Sequence, residues 1–365
     1  AEGSGMPNPY RDPTRTSYKG VCHKALPEGG HCRPGEILLG TDSHTCTAGA
    51  FGQFATGVGN TDAAFVLGTG KTWLKVPPTM KFAFHGQIPP YLTAKDLILA
   101  VIGRIGFAGA TYKAMYFTGE GIASLSLEDR MTLTNMAIEA GGKNGICDVD
   151  EKTLAYVRAR SNRPDWTVFE EDADAQYCYE AEWDLAELEP LVARPHAPDN
   201  TAPARQCSDV KLDRAYIGSC TGGKITDMIF AANILAGQQV KIPTFVVPGS
   251  TEVHADMQRL NLQGQPKAPG EKSIQEVLED AGCLIGPASC AACLGGPRDT
   301  FGRLNEPINC ISTTNRNFPG RMGHKDAGVF LASPLTVAAS ALTGRVTDPR
   351  EFVSEPIATG SAGAI

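Results

Sequence analysis

Pro287-Ala-Ser-Cys-Ala-Ala-Cys-Leu-Gly-Gly296 sets two thiols, Cys290 and Cys293, three residues apart, with no charged side chain between them and a glycine pair behind. A C-x-x-C turn aims both sulfurs at one point, and the glycines let backbone approach whatever sits there. The turn reads as half of a metal site. Its best partner is Cys220 in Tyr216-Ile-Gly-Ser-Cys-Thr-Gly-Gly223, where an apolar run breaks into a glycine turn just before a helix-like segment. No second C-x-x-C exists in the chain, which disfavours a paired four-thiolate zinc site.

Around these thiols the pattern is regular. Strand-like runs at 215–218, 242–247, 283–286, 310–313 and 330–332 alternate with helical patterns at 225–235, 251–260 and 273–281 and with a helix start at Ser333-Pro334. Such alternation predicts a parallel sheet with helices on its faces. Cys220, the Cys290/Cys293 pair and the stretch from Asn315 to Arg321 then fall beyond strand carboxyl ends, on one rim of one sheet. Three prolines between Ala193 and Pro203 mark a linker at 194–204.

Upstream, Thr93-Ala-Lys-Asp96 is a capping box opening an apolar helix to about residue 105, and Ser126-Leu-Glu-Asp129 opens another, stopped by Gly141-Gly142. On the second helix Asn135 and Glu139 lie four apart, which puts an amide and a carboxylate on one face. Nearer the front, the apolar run Gly35-Glu-Ile-Leu-Leu-Gly ends in the polar turn Thr41-Asp-Ser-His-Thr45. Ligands collect beyond strand ends in open α/β sheets, so Asp42, Ser43 and His44 are candidate site residues, although Asp and Ser there also serve as helix caps. Gly68-Thr-Gly-Lys-Thr72 imitates a phosphate loop but lacks its first glycine, Phe65 standing in that place. The expected organisation is α/β throughout: a domain at 1–76, a second at 77–193, the linker, a third at 205–352 and a flexible tail at 353–365. The polar residues 1–19 read as an arm.

The 365 residues carry a net charge of −7 with no basic cluster, which excludes a nucleic-acid surface. No window reaches 18 consecutive apolar residues, so no membrane span is expected. Eleven cysteines without secretory features fit a reducing compartment, cytoplasmic or an organelle matrix or stroma.

Three thiolates around an iron and sulfide cluster leave one iron without a protein ligand, whereas electron-transfer clusters usually have every iron held by cysteine. An open iron is a Lewis acid that can polarise a C–O bond. The competing reading is zinc on the three thiolates plus His44 or another histidine. Cys220, just before a helix, is expected to gain from the amides there, which favour thiolate. Arg316 and Arg321, five apart across a Pro-Gly bend, could converge on one anion, because a guanidinium fork binds two carboxylate oxygens at once.

Gly40-Thr-Asp-Ser-His-Thr45, Ile217-Gly-Ser-Cys-Thr221, Cys290-Ala-Ala-Cys-Leu-Gly295 and Thr314-Asn-Arg-Asn-Phe-Pro-Gly-Arg321 resemble the signature segments of the aconitase superfamily, most of all the large subunits of its isopropylmalate-dehydrating branch. The resemblance runs from about residue 18 to residue 352. It implies an aconitase-like fold of three α/β domains around a 4Fe-4S cluster on Cys220, Cys290 and Cys293, with Asn135 and Asn315 lining it. By the same matching His23, Asp42 and His44 surround the open iron's water, Glu139 handles that water, and Arg316 and Arg321, with Ser43, bind substrate carboxylates. The implied reaction dehydrates a small hydroxy di- or tricarboxylic acid and rehydrates it with the hydroxyl moved to the neighbouring carbon. Homoaconitase and citraconate- or methylmalate-type hydratases share these motifs and are the alternatives. The resemblance also implies a swivelling domain carrying a serine base. That domain is not found in the sequence, so a small partner subunit is expected. The family's early Asp-His segment is not found either, so the expectation is that the 1–76 domain lacks its front portion or that the chain does not catalyse alone. Gly222 stands where the family more often has Asn. The alternative of another class is a zinc-bound or cluster-free binding protein.

Overall fold

A computed structural model describes residues 18–359, so the expected front arm up to residue 17, and residues 360–365 of the expected tail, lie outside the described residues. The front comprises α1 (Cys22–Glu28), β1 (Ile37–Gly40), a 3₁₀ helix (Ser43–Phe51), β2 (Phe54–Gly57) and α2 (Asn60–Thr69), with β1 and β2 paired in parallel. Asp42 caps the 3₁₀ helix by accepting from the His44 amide at 2.8 Å, and Gly52 ends it at φ 68°. α2 buries none of its residues. The run Gly68 to Thr72 falls at the end of this helix rather than before one, so it offers no amide cradle for phosphate.

Next come β3 (Thr79–His85), α3 (Ala94–Ile105), β4 (Ala114–Thr118), α4 (Glu120–Ser124), α5 (Leu127–Asn135), β5 (Asn144–Cys147), α6 (Glu151–Arg160) and β6 (Tyr179–Asp184). They build a parallel sheet in the order β5-β4-β3-β6. The capping box at Thr93 and Asp96 forms as expected. Leu97, Ile98, Leu99, Val101 and Ile102 of α3 have no exposed surface. Each such side chain contributes about 1.5–3 kcal/mol by leaving water.

The remainder runs β7 (Leu191–Ala193), β8 (Thr201–Pro203), β9 (Arg214–Ile217), α7 (Ser219–Gly222), α8 (Ile225–Leu235), β10 (Thr244–Val246), α9 (Thr251–Arg259), α10 (Ile274–Asp280), β11 (Leu284–Ile285), β12 (Asn309–Ser312), β13 (Gly328–Ala332) and α11 (Pro334–Thr343). The seven-stranded sheet has the order β11-β10-β9-β12-β13-β7-β8. Its first five strands are parallel, and β7 pairs antiparallel with both β13 and β8. From β9 the chain winds outward through β10 to β11, then returns to place β12 on the other side of β9. The carboxyl ends of β9 and β12 therefore flank a topological switch point, where α/β sheets open a crevice.

Three expectations change. The segment expected as a linker, 194–204, instead supplies the turn and second strand of an edge hairpin, because Ala202 joins the core and β8 pairs with β7, itself paired with β13. The second amphipathic helix stops at Asn135 and tightens into a 3₁₀ turn, Met136–Ala140, closed by Gly141 at φ 83°. In the tail, Val353 is buried and Ile357 packs against the main core.

Candidate active site

The three thiols meet where the switch point predicts. β9 delivers Cys220 through α7, β11 delivers the turn with Cys290 and Cys293, and β12 delivers Asn315 and Arg316. A cavity of about 200 Å³ is lined by His23, Asp42, His44, Cys220, Cys290, Cys293, Asn315 and Arg321. Eight of the twelve expected site residues thus share one wall. Asn135, Glu139, Ser43 and Arg316 stand directly behind them, each in hydrogen-bond contact with a residue named above or with one another.

Side-chain amides reach two of the three sulfurs. Asn135 Nδ2 donates to Cys220 Sγ at 3.2 Å and Asn315 Nδ2 at 3.4 Å, while Asn315 Oδ1 lies 3.5 Å from Cys293 Sγ. Ser219, which the sequence reading passed over, sends its hydroxyl to Cys293 Sγ at 3.6 Å and Cys220 Sγ at 3.8 Å. Its φ of 79° is a left-handed conformation costing a non-glycine residue about 1–3 kcal/mol, an outlier of the sort that collects at functional sites. The signal available in the sequence was a serine wedged between Gly218 and a candidate ligand.

Burial, then the neighbouring Cys293, pushes the Cys220 thiol up to about 12. Burial and then Cys293 likewise push Cys290 up to about 11. The amide help expected for Cys220 is outweighed, since α7 has only four residues and the thiol is buried. A bound cation reverses this balance, because a coordinating thiol gives up its proton.

The acid-base groups are paired. His23 Nε2 meets Asp42 Oδ1 at 2.8 Å, and His44 Nε2 meets Glu139 Oε1 at 2.7 Å. Burial pulls the His23 pKa down, but hydrogen bonds to Asp42 and then Cys22 outweigh it and raise it to about 9. The same contacts, first from His23 and then from His44, hold the Asp42 carboxyl far below the usual carboxylate range. The two arginines do not act alike. Arg321 lines the cavity, and its buried Nε has no hydrogen-bond partner. Arg316 is committed to protein: its Nε donates to both Glu139 oxygens at 2.8 and 2.9 Å, and its Nη2 donates to Ser43 Oγ at 3.0 Å. The structure thus offers one guanidinium to the cavity rather than two.

The donor set discriminates between metals. Among the described residues, the one trio of His, Cys, Asp or Glu whose ligand atoms all lie within 4.8 Å of one another is His23, Asp42 and His44, not the cysteines. Three sulfurs spaced more widely than one ion requires, with two amides donating to Cys220, suit a cluster better than a single tetrahedral zinc with sulfurs about 2.3 Å away. His44, the imagined fourth zinc ligand, already has its Nε2 on Glu139.

Comparison with known proteins agrees with this geometry. The family described as "Aconitase family (aconitate hydratase)" matches residues 9–211 and 200–344. The chain is 61% identical over 340 residues to the chloroplastic large subunit of 3-isopropylmalate dehydratase from Arabidopsis thaliana, a match covering 92% of this chain and 66% of that protein. It is 45% identical over 349 residues to the 3-isopropylmalate dehydratase large subunit of Aquifex aeolicus, covering 94% of this chain and 77% of the relative. To large subunit 1 from Methanopyrus kandleri it is 47% identical over 337 residues, 92% of this chain and 77% of the relative. The chain thus spans about two thirds to three quarters of the length of these relatives. No described helix is long and apolar enough to cross a membrane. Matching along nearly its whole length, this chain belongs to the aconitase family.

Proposed function

We propose that the chain is the cluster-bearing large subunit of a hydro-lyase that interconverts 2- and 3-isopropylmalate by dehydration and rehydration, a step of leucine biosynthesis. The observation that carries this reading is the joint lining of one cavity by three thiols, two carboxylate-paired histidines and Arg321. Cys220, Cys290 and Cys293 would hold a 4Fe-4S cluster, with Asn135 and Asn315 directing amide hydrogens at Cys220. When bound by three cysteines, such a cluster supplies a Lewis-acidic iron free to accept a substrate hydroxyl and carboxylate.

The chain's own residues do the rest. Arg321, whose side chain lines the cavity, can bind a substrate carboxylate, a charge-assisted bond contributing about 1.5–3 kcal/mol. His23, kept protonated at neutral pH by Asp42, can give a proton to a departing hydroxyl and recover it on hydration. Glu139, clamped by Arg316, fixes the His44 ring through Nε2, while Nδ1 faces Asp42 Oδ1 at 3.3 Å and Ser43 Oγ at 3.5 Å. The base that removes the carbon-bound proton is assigned to a serine of a small swivelling-domain partner. The "large subunit" names of the relatives support such a partner.

The test is an anaerobic assay of the reconstituted chain with candidate small subunits. Turnover of isopropylmalate is expected, and Arg321→Lys, which keeps the charge but loses the fork, should raise KM about tenfold or more through loss of one such bond. Preference for homocitrate-type or citramalate substrates would move the chain to a sister activity. Unchanged kinetics in Arg321→Lys would remove that residue from the site.

A further inference from the structure

Lys95 is buried in the first turn of α3 with 3% of its surface exposed. Its ammonium donates to the backbone carbonyls of Thr313 at 3.0 Å and Thr314 at 2.6 Å, the two residues before Asn315. The neighbouring carboxylate Asp96 faces elsewhere, accepting from the Thr93 and Leu191 amides. The other buried lysines near the site differ: Lys24 pairs with Glu128, and Lys224 with Asp227 at 2.7 Å. Two carbonyls do not neutralise an ammonium. Burying one without a counter-ion costs several kcal/mol. The acidic groups acting on it through space include Asp227, already held by Lys224, and the sulfurs of Cys293 and Cys220, which become thiolates when they coordinate a cation.

We infer that Lys95 is a positioning residue for the cluster: it supplies the counter-charge to the thiolate-bound group and ties down the end of β12, so that Asn315 faces Cys220 and Cys293. This rests on the cluster reading proposed above. Without bound iron, burial and then the charge of Lys224 push the Lys95 pKa down to about 7, in keeping with a cation whose partner is not part of the polypeptide.

A purely structural lysine and a counter-charge respond oppositely when replaced. The whole chain, anaerobically reconstituted with iron and sulfide, would be compared as wild type, Lys95→Met and Lys95→Gln. Three quantities would be measured: the rate of iron loss to a chelator, the cluster's reduction potential, and the unfolding midpoint of the iron-free form. Residues just outside the ligand shell typically change metal affinity 10–100-fold, so both variants should lose iron about tenfold faster or more. The potential should move to more negative values, because a positive charge has left the neighbourhood. The iron-free forms should be as stable as wild type or more so, since an unpaired buried charge is gone. Gln, which keeps a donor for the carbonyls, separates charge from hydrogen bonding. Wild-type iron retention and potential in Lys95→Gln, or equal destabilisation of loaded and iron-free Lys95→Met, would overturn the inference and leave the cluster reading standing. A wild-type chain that takes up no iron would sink both.

Discussion

His23 shows how one contact sets a site's chemistry and its pH response. Its pKa stands at about 9 against an ordinary 6.5, so the folded chain holds the proton more tightly than the unfolded one. The stabilisation is complete below about pH 6.5 and is lost as pH rises through about 9. Unfolding midpoints of the iron-free chain should fall between these limits more steeply in wild type than in His23→Gln. Equal slopes would mean that the His23 and Asp42 pair is not the titrating element. Arg321 and Arg316 teach a related lesson. Five residues apart in one loop, they look interchangeable, yet Arg316 is paired with Glu139, 177 positions away, and only Arg321 is left for a ligand.

Among the elements, the 3₁₀ helix Ser43–Phe51 is the one that places His44. It lies so close to β5 that a Cβ added at Gly49 would come within 1.6 Å of the Gly145 carbonyl oxygen. Backbone cannot yield there as a flexible side chain can. Gly49→Ala should therefore cost about 1–3 kcal/mol or more as overpacking and loosen the His44 and Glu139 contact. Denaturant unfolding measures this, and an unshifted midpoint would contradict the close packing. Much at this scale was legible in the sequence. The capping box at Thr93, the cap at Ser126, the alternation after residue 205 and the thiol turn all rest on local chemistry that needs no knowledge of neighbours. The 3₁₀ tightening after Asn135 and the recruitment of residues 201–203 into a sheet were not legible, because tertiary contacts decide both. Lys95 escaped for the same reason: within Thr93-Ala-Lys-Asp96 it reads as helix filler, and its carbonyl partners lie 218 and 219 residues on.

For the molecule as a whole, strand order is the deciding fact, and no local pattern encodes it. Placing β12 beside β9 rather than beyond β11 creates the switch point that gathers Cys220, the Cys290 turn and Asn315 from far apart in the chain. The front segments add His23 and the Asp42 turn, and α5 with its 3₁₀ extension adds Asn135 and Glu139. The most direct test of this convergence is analysis of iron, zinc and acid-labile sulfide on the anaerobically prepared chain, with its visible spectrum. About four iron and about four sulfide per chain are expected, with broad thiolate-to-iron absorption, abolished together in Cys290→Ser. Stoichiometric zinc with neither iron nor sulfide would contradict this expectation.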